Sequence, residues 1–301
     1  MLVNKLHASL PDLIIQERWP LSQLCTLKVG GEAEFFVAPD SFETMHLIVS
    51  IAREAGYPVY VIGGGSNVLF PDGLVHGVVL STLKLNNINW RSDITADIDA
   101  GFMLGVLMRE LRNRNLGSME FAAGIPGTVG GAIMGNAGAG GHGVCELVDD
   151  VLVINSKGEL HDLPISDVEY SYRKCSLADD DSIVLSARMT FREAKPKDKD
   201  IFENYMLMRG LQPHALGNAG CTFKNPAGFE SAGKLLDEAG CKNLSVGGAI
   251  VSDLHANFIL NHGKATSSDV IELIKICQAR VYDKTGIKLE PEIKILACKS
   301  E

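Results

Sequence analysis

The sequence predicts a fold that mixes helices and strands in two or three domains. Its 301 residues exceed one ordinary core, at about 100–150 residues per domain. A helical pattern, a strand and a glycine loop follow one another over residues 42–67, the order of an α/β unit. Near the C-terminus, apolar and charged residues alternate with the period of a strand.

The elements follow in order. Asp40 and Ser41 precede FETMHLIVSIAREAG, where Phe42, Met45, Ile48, Ile51, Ala52 and Ala55 recur at helical spacing and Gly56 is placed to end the helix. YPVYVI reads as a strand and GGGSN, residues 63–67, as a loop. A second helix is expected over residues 103–114, with Leu104, Leu107, Met108 and Leu111 on one face and Gly117 as its stop. The run AAGIPGTVGGAIMGNAGAGGHG, residues 122–143, holds too many glycines to be one regular element. VLVIN and SIVLSARMTF read as strands. REAKPKDKD, charged and broken by Pro196, reads as a linker with a domain boundary near Asp198. SAGKLLDEAG is then a short helix. SSDVIELIKICQARVYDKTG is a longer one, with Val270, Leu273, Ile274, Cys277 and Val281 in a stripe and Gly286 at its end. IKLEPEIKIL is expected as a strand with Ile287, Leu289, Ile293 and Ile295 on its apolar face.

Composition removes several classes of function. The net charge of −9 argues against non-specific binding to nucleic acid or an acidic membrane, because no basic excess exists to displace counterions. No apolar run approaches the roughly 20 residues of a membrane span, and the N-terminus lacks a secretory apolar core. Seven cysteines, an odd number with no C-x-x-C pair, fit free thiols in a reducing cytoplasm. No H-E-x-x-H stretch offers a metal site, and none is expected.

Two glycine-rich stretches carry chemistry. Three glycines after a strand, Gly63, Gly64 and Gly65, let the backbone approach a ligand and turn N–H groups inward, as a phosphate nest does; a plain tight turn is the alternative. In residues 122–143, Ile125, Val129, Ile133 and Met134 mark a packed, shaped loop rather than a flexible linker. Two such loops suit an extended pyrophosphate, as in a dinucleotide. GAGGHG matches G-x-G-x-x-G but lacks the strand before it and the helix after it. GFESAGKL begins like a P-loop, but Leu235 stands where a magnesium-binding hydroxyl belongs. Arg173, Cys221 and Glu292 remain. Residue by residue, a surface arginine and a solvated carboxylate are the ordinary readings of the first and last. Cys221, in GNAGCTFKNP, reads equally as a small loop residue or as a reactive thiol.

The motifs CTLKVGGEAEFF, VIGGGSNVL, GIPGTVGGAIMGNAGAGG, YSYRKCS, GCTFKNP, AGKLLDEAG, HANFILN and LEPEIKI, in this order over residues 24–296, resemble the UDP-N-acetylenolpyruvoylglucosamine reductase family in its shorter subtype. The resemblance implies an α+β fold: a two-subdomain FAD-binding domain of the vanillyl-alcohol-oxidase type, residues 1–82 and 83–198, followed by a smaller α/β substrate-binding domain, residues 199–301, whose last strand can return to the first subdomain. It implies non-covalent FAD, with Gly63, Gly64, Gly65, Ser66 and Asn67 at the pyrophosphate and Gly124, Ile125, Pro126, Gly127, Gly131 and Ala132 along the flavin.

It further implies that NADPH reduces the flavin and leaves. The enolpyruvyl ether of UDP-N-acetylglucosamine then takes hydride at C3 and a proton at C2. Arg173 and Glu292 fall at the substrate carboxylate, where charge develops. Tyr172, Lys224 and Asn225 resemble substrate contacts, and Arg209 and Gln212 lie in a segment like the substrate-domain entrance. Cys25 stands where the family commonly has asparagine. Cys221 stands where it usually has the serine that gives the proton, so the thiol reads as the acid. A cytoplasmic monomer is expected. Two readings stay open beside the reductase: a sugar or alcohol oxidase on the same flavin fold, and a non-catalytic nucleotide-binding protein.

Overall fold

The structure, a computed structural model, describes residues 2–213 and 217–296. The chain divides into two compact units. The first comprises Met1–Glu17, Phe35–Gly64 and Gly77–Arg209, and the second Arg18–Glu34, Gly65–His76 and Gly210–Glu301. The chain passes from one to the other within strands, Glu32–Val37 and Leu74–Ser81 among them. This division differs from the three consecutive segments read from the sequence.

In the first unit the main sheet is antiparallel, with lateral order Leu160–Pro164, Val148–Ile154, Ile183–Thr190, Thr95–Asp99, Ile88–Trp90. The helix Leu104–Asn113 buries the expected face, Leu104, Leu107, Met108 and Leu111, in one core with Ile98, Val151 and Met189. Its stop is not Gly117, which lies in the short strand Leu116–Gly117. Asn115 takes the left-handed turn instead, at φ +57°, a conformation asparagine tolerates. The helix Phe42–Glu54 starts where Ser41 Oγ accepts the Thr44 N–H at 3.1 Å. Met45, Ile48, Val49 and Ala52 pack there against Val78 and Leu80. The strand Val59–Ile62 pairs in parallel with the end of Leu74–Ser81, Val59 opposite Val78.

The stretch REAKPKDKD is not a linker. Pro196 opens the helix Pro196–Gly210, so the boundary expected near Asp198 falls inside a helix. Proline is favoured in the first turn, where its missing N–H leaves no bond unmade. Asp198, 5% exposed, accepts the Lys195 N–H at 2.7 Å and the Arg192 guanidinium at 3.0 Å through its second oxygen.

The second unit holds a four-stranded antiparallel sheet, Gly217–Asn218, Ile259–Asn261, Ala249–Val251, Ser245–Val246 in lateral order. The helix Ser267–Thr285 begins in a capping box, Thr266 Oγ1 accepting the Asp269 N–H at 3.1 Å while the Asp269 carboxylate accepts the Thr266 N–H at 2.9 Å. It buries the expected stripe and ends at Gly286, φ +72°. IKLEPEIKIL forms a strand only at Lys294–Ile295, which pairs in parallel with Val68–Leu69. Leu289 and Ile293 are buried and Glu290 exposed, but Ile295 is 42% exposed, so the expected apolar face is buried only in part. Pro291, which has no N–H to give, sits at an isolated bridge to Phe223.

Four thiols form two buried pairs, Cys145 with Cys175 and Cys241 with Cys277. Sharing a hydrogen bond with the neighbouring thiol, together with burial, pushes Cys145 and Cys277 up from the usual thiol range. Among the described cysteines, Cys221 alone is not fully buried.

The Arg192 guanidinium holds the Asp198 carboxyl below the usual carboxylate range. Because the folded group is the more acidic, its stabilisation is in place above about pH 4 and is lost as pH falls through the folded value. Asp198→Asn should therefore lower the unfolding free energy by about 1–3 kcal/mol at pH 7, the pair being partly solvent-screened on the arginine side. Denaturant titrations against pH should show the deficit shrinking below about pH 4.

Candidate active site

In the first unit the two glycine stretches meet. A Cβ on Gly64 would come within 3.0 Å of Gly127 Cα, and one on Gly63 would overlap Thr128 Oγ1. Gly127, at φ +114°, and Gly124, at φ +71°, hold turns that side chains resist. Thr128 is buried and caps the helix Val129–Met134, its Oγ1 facing the Gly131 N–H at 3.4 Å. Gly124, Pro126 and Gly131 are exposed and Ile125 half-buried, so this strip of backbone is open to a ligand. Ala132 points into the core instead. GAGGHG makes a small hairpin, Gly138–Ala139 against His142–Gly143, with Gly140 and Gly141 at positive φ in the turn.

Arg173 sits in a two-residue turn between Tyr170–Ser171 and Lys174–Cys175. Its φ is +56°, which costs a non-glycine residue about 1–2 kcal/mol. Such strain persists where surrounding contacts impose it, and it clusters at functional sites. Arg173 Nη2 donates to the Gly138 carbonyl at 2.7 Å, and its guanidinium lies 5.0 Å over the exposed Tyr172 ring. Asn136 Nδ2 donates to the Ser171 carbonyl at 2.9 Å, and Asn136 Oδ1 accepts the Cys145 N–H at 3.1 Å. The second glycine stretch thus holds the arginine turn. Arg209 belongs to this unit too. Its Nε donates to the Ala123 carbonyl at 2.8 Å, and its stem covers Gly124, where a Cβ would lie 2.6 Å from Arg209 Cδ.

In the second unit the loop continues through Gly65, φ +62°, where a Cβ would overlap the Leu24 carbonyl oxygen. The Gly65 carbonyl accepts the Thr26 N–H at 3.0 Å. Cys221, half-buried, follows Gly220 at φ +74°. Residues 222–224 run beside residues 290–292. Glu292 N–H donates to the Thr222 carbonyl at 2.7 Å and Lys224 N–H to the Glu290 carbonyl at 2.9 Å. This ladder sets Thr222, the residue after Cys221, opposite Glu292. Asn67 joins them, its Nδ2 donating to the Glu292 carbonyl at 3.2 Å while its own carbonyl accepts the Lys294 N–H at 3.1 Å. Lys224 Nζ pairs with Glu290 at 2.6 Å, and Asn225 Oδ1 accepts the Ala232 N–H at 3.0 Å. Gln212 is half-buried outside any helix or strand.

Three residues the sequence reading passed over shape these arrangements: Thr128, Asn136 and Asn257. Thr128 had a signal in T-x-x-G before a helix; the two asparagines had none beyond their glycine-rich or apolar neighbours. Among the described residues no group of three or more His, Cys, Asp or Glu could hold a metal, and no helix is long and apolar enough to cross a membrane.

Glycines that admit no Cβ, and a strip of exposed backbone beside them, suit close approach by a dinucleotide. Residues 33–164 match the family model of an FAD binding domain. A glucose dehydrogenase, Phl p 4.0202, shares the fold alone, with a TM-score of 0.52 at 19% identity over 65% of this chain and 44% of that one. Fold and cradle together define an FAD-dependent oxidoreductase. Residues 212–296 match the C-terminal domain of UDP-N-acetylenolpyruvoylglucosamine reductase. Proteins of that name from Chlamydia felis (strain Fe/C-56) and Geobacter metallireducens (strain ATCC 53774 / DSM 7210 / GS-15) are each 38% identical to this chain. The first covers 92% of both chains and the second 98% of both. The crystal structure of the Thermus caldophilus enzyme superposes with a TM-score of 0.80 at 31% identity, covering 95% of this chain and 99% of that one. The chain belongs to the UDP-N-acetylenolpyruvoylglucosamine reductase family.

The cradle is directly testable. Gly64→Leu would push a side chain into the Gly127 backbone and fill the approach to the ligand. The purified variant should carry far less FAD than the parent, read from flavin absorbance per chain. Normal flavin content would show that Gly64 does not line the cofactor.

Proposed function

We propose that the protein is an NADPH-dependent reductase of the enolpyruvyl ether of UDP-N-acetylglucosamine, forming UDP-N-acetylmuramate for bacterial cell-wall peptidoglycan. It works as a cytoplasmic monomer with FAD held non-covalently. Besides family membership, one observation supports this reading above others: the main-chain bond that sets Thr222, next in the chain to Cys221, against Glu292. When bound, FAD supplies a two-electron carrier that takes hydride from NADPH and gives it to C3 of the enolpyruvyl group. Gly63, Gly64, Gly65, Ser66 and Asn67 would cradle its pyrophosphate, and Gly124, Ile125, Pro126, Gly127 and Gly131, with the buried Ala132, would line the flavin.

The chain's own residues manage charge and proton. Arg173 offers a planar pair of donors to the substrate carboxylate, into which negative charge spreads as C3 is reduced. Its turn is held before substrate arrives, so little reorganisation is spent at the moment of reaction. Glu292 stands at that same carboxylate. The Cys221 thiol gives its proton to C2, and the resulting thiolate is reprotonated from water. Tyr172, Lys224 and Asn225 contact the substrate, with Arg209 and Gln212 at its entrance.

The anaerobic experiment is decisive. The flavin is reduced with NADPH, the enolpyruvyl substrate is added, and the oxidised flavin spectrum should return. A flavin reoxidised by oxygen but not by this substrate would favour an oxidase and defeat the proposal. Arg173→Ala and Glu292→Gln should accept hydride from NADPH but reoxidise with substrate about a hundredfold more slowly. Stopped-flow traces of the two halves check this; a variant turning over at the parent rate would clear that residue of its role.

Cys221 gives a pH test. A thiol loses its proton at far lower pH than an alcohol. Cys221→Ser should remain active and extend substrate reduction to higher pH, whereas Cys221→Ala should keep flavin reduction and largely lose the second half. Identical alkaline profiles for the parent and Cys221→Ser would remove the thiol from the proton step.

A further inference from the structure

Asn257 lies beneath the Cys221 loop and is 3% exposed. Its Oδ1 accepts the Phe223 N–H at 2.9 Å, and its Nδ2 donates to the Phe223 carbonyl at 2.9 Å. Its own main-chain carbonyl accepts the Thr222 N–H at 2.8 Å. One residue thus answers three backbone groups of two successive residues. The other edge of the same segment faces residues 290–292, where the Thr222 carbonyl accepts the Glu292 N–H at 2.7 Å. Thr222 is therefore bonded to Asn257 on one side and to Glu292 on the other, and Cys221 is its neighbour in the chain.

We propose that Asn257 is a positioning residue for the reaction: by clamping Phe223 it fixes where the Cys221 thiol stands relative to Glu292. This rests on the reading of Cys221 as proton donor. The residue type is demanding. Aspartate keeps the acceptor but loses the donor, leucine keeps the volume but loses both, and glutamine is one methylene too long. The clamp is itself held. His255 Nδ1 accepts the Asn257 N–H at 3.2 Å, and the His255 ring packs edge-on to Phe258, 5.0 Å between centroids. Burial lowers the His255 pKa from its usual value, which keeps the ring neutral and able to accept. A Cβ on Gly233 would come within 2.8 Å of His255 Cε1, so glycine there leaves the ring its place.

A buried amide that only satisfies backbone groups would affect stability without regard to the proton step. A positioning residue has a narrower signature, because small misplacements of a reacting group cost rate rather than affinity. In the full-length enzyme with its flavin, Asn257→Asp should be reduced by NADPH within roughly twofold of the parent rate. Its substrate half-reaction should slow by about 10–100-fold, with the substrate KM little changed. Hydrogen exchange at the Phe223 amide, read by mass spectrometry, should quicken in the same variant. Where Asn257→Asp loses its flavin, Asn257→Ser carries the same expectations.

The discriminating measurement is the double variant with Cys221→Ala. If Asn257 acts through Cys221, the double variant should reoxidise no more slowly than Cys221→Ala alone. Two slowdowns that multiply would overturn the proposal, as would a substrate half-reaction at the parent rate in Asn257→Asp. If Cys221→Ala alone reacts at the parent rate, the donor assignment fails first and the proposal with it. That outcome is read before any Asn257 variant is made.

Discussion

The first unit depends on two backbones that touch. Gly64 and Gly127 approach so closely that a single Cβ would separate them. From this contact the site is laid out in sequence. Thr128 caps the short helix behind the loop, and Gly130 lets that helix lie on Ala100, where its N–H reaches the Ala100 carbonyl at 2.9 Å. The chain emerges at Asn136 and Gly138, which hold the turn of Arg173. The strain at Arg173 is thus balanced by bonds that originate in the second glycine stretch. A cationic side chain on a free surface would swing among rotamers; here its turn is fixed by that stretch.

The second unit reaches its arrangement by another route. Its key bonds are between main chains, so they record nothing in the identity of the residues that make them. This explains what was legible in the sequence. Gly65, Gly124 and Gly127 were readable, because a positive φ, and at Gly65 a Cβ that would overlap the Leu24 carbonyl, dictate residue type. The stripe of the Ser267–Thr285 helix was readable because burial imposes a period. The bond between Thr222 and Glu292 was not, since Thr222 would offer its carbonyl whatever its side chain.

Local errors have local causes. Pro196 reads as a breaker, yet in a first turn it starts a helix, and the charges around it serve the Arg192–Asp198 pair rather than solvent. Gly117 invited the role of helix stop, but an asparagine two residues earlier takes the left-handed turn. The alternation in IKLEPEIKIL marked Leu289 and Ile293 as buried but failed at Ile295, which is exposed, and Pro291 limits the ladder that a regular strand would make. Cysteine count gave free thiols, while their spatial pairing, which separates packing thiols from Cys221, depends on contacts that no spacing encodes.

The second unit's bonds also span most of the chain. Asn67 reaches Glu292 across 225 positions, Thr26 reaches Asn218 across 192, and Asn261 reaches Leu27 across 234. At about 5–20 residues per second, the later partner of each bond is made roughly ten seconds or more after the earlier one. These three bonds cannot close until the C-terminal part of the chain has been synthesised.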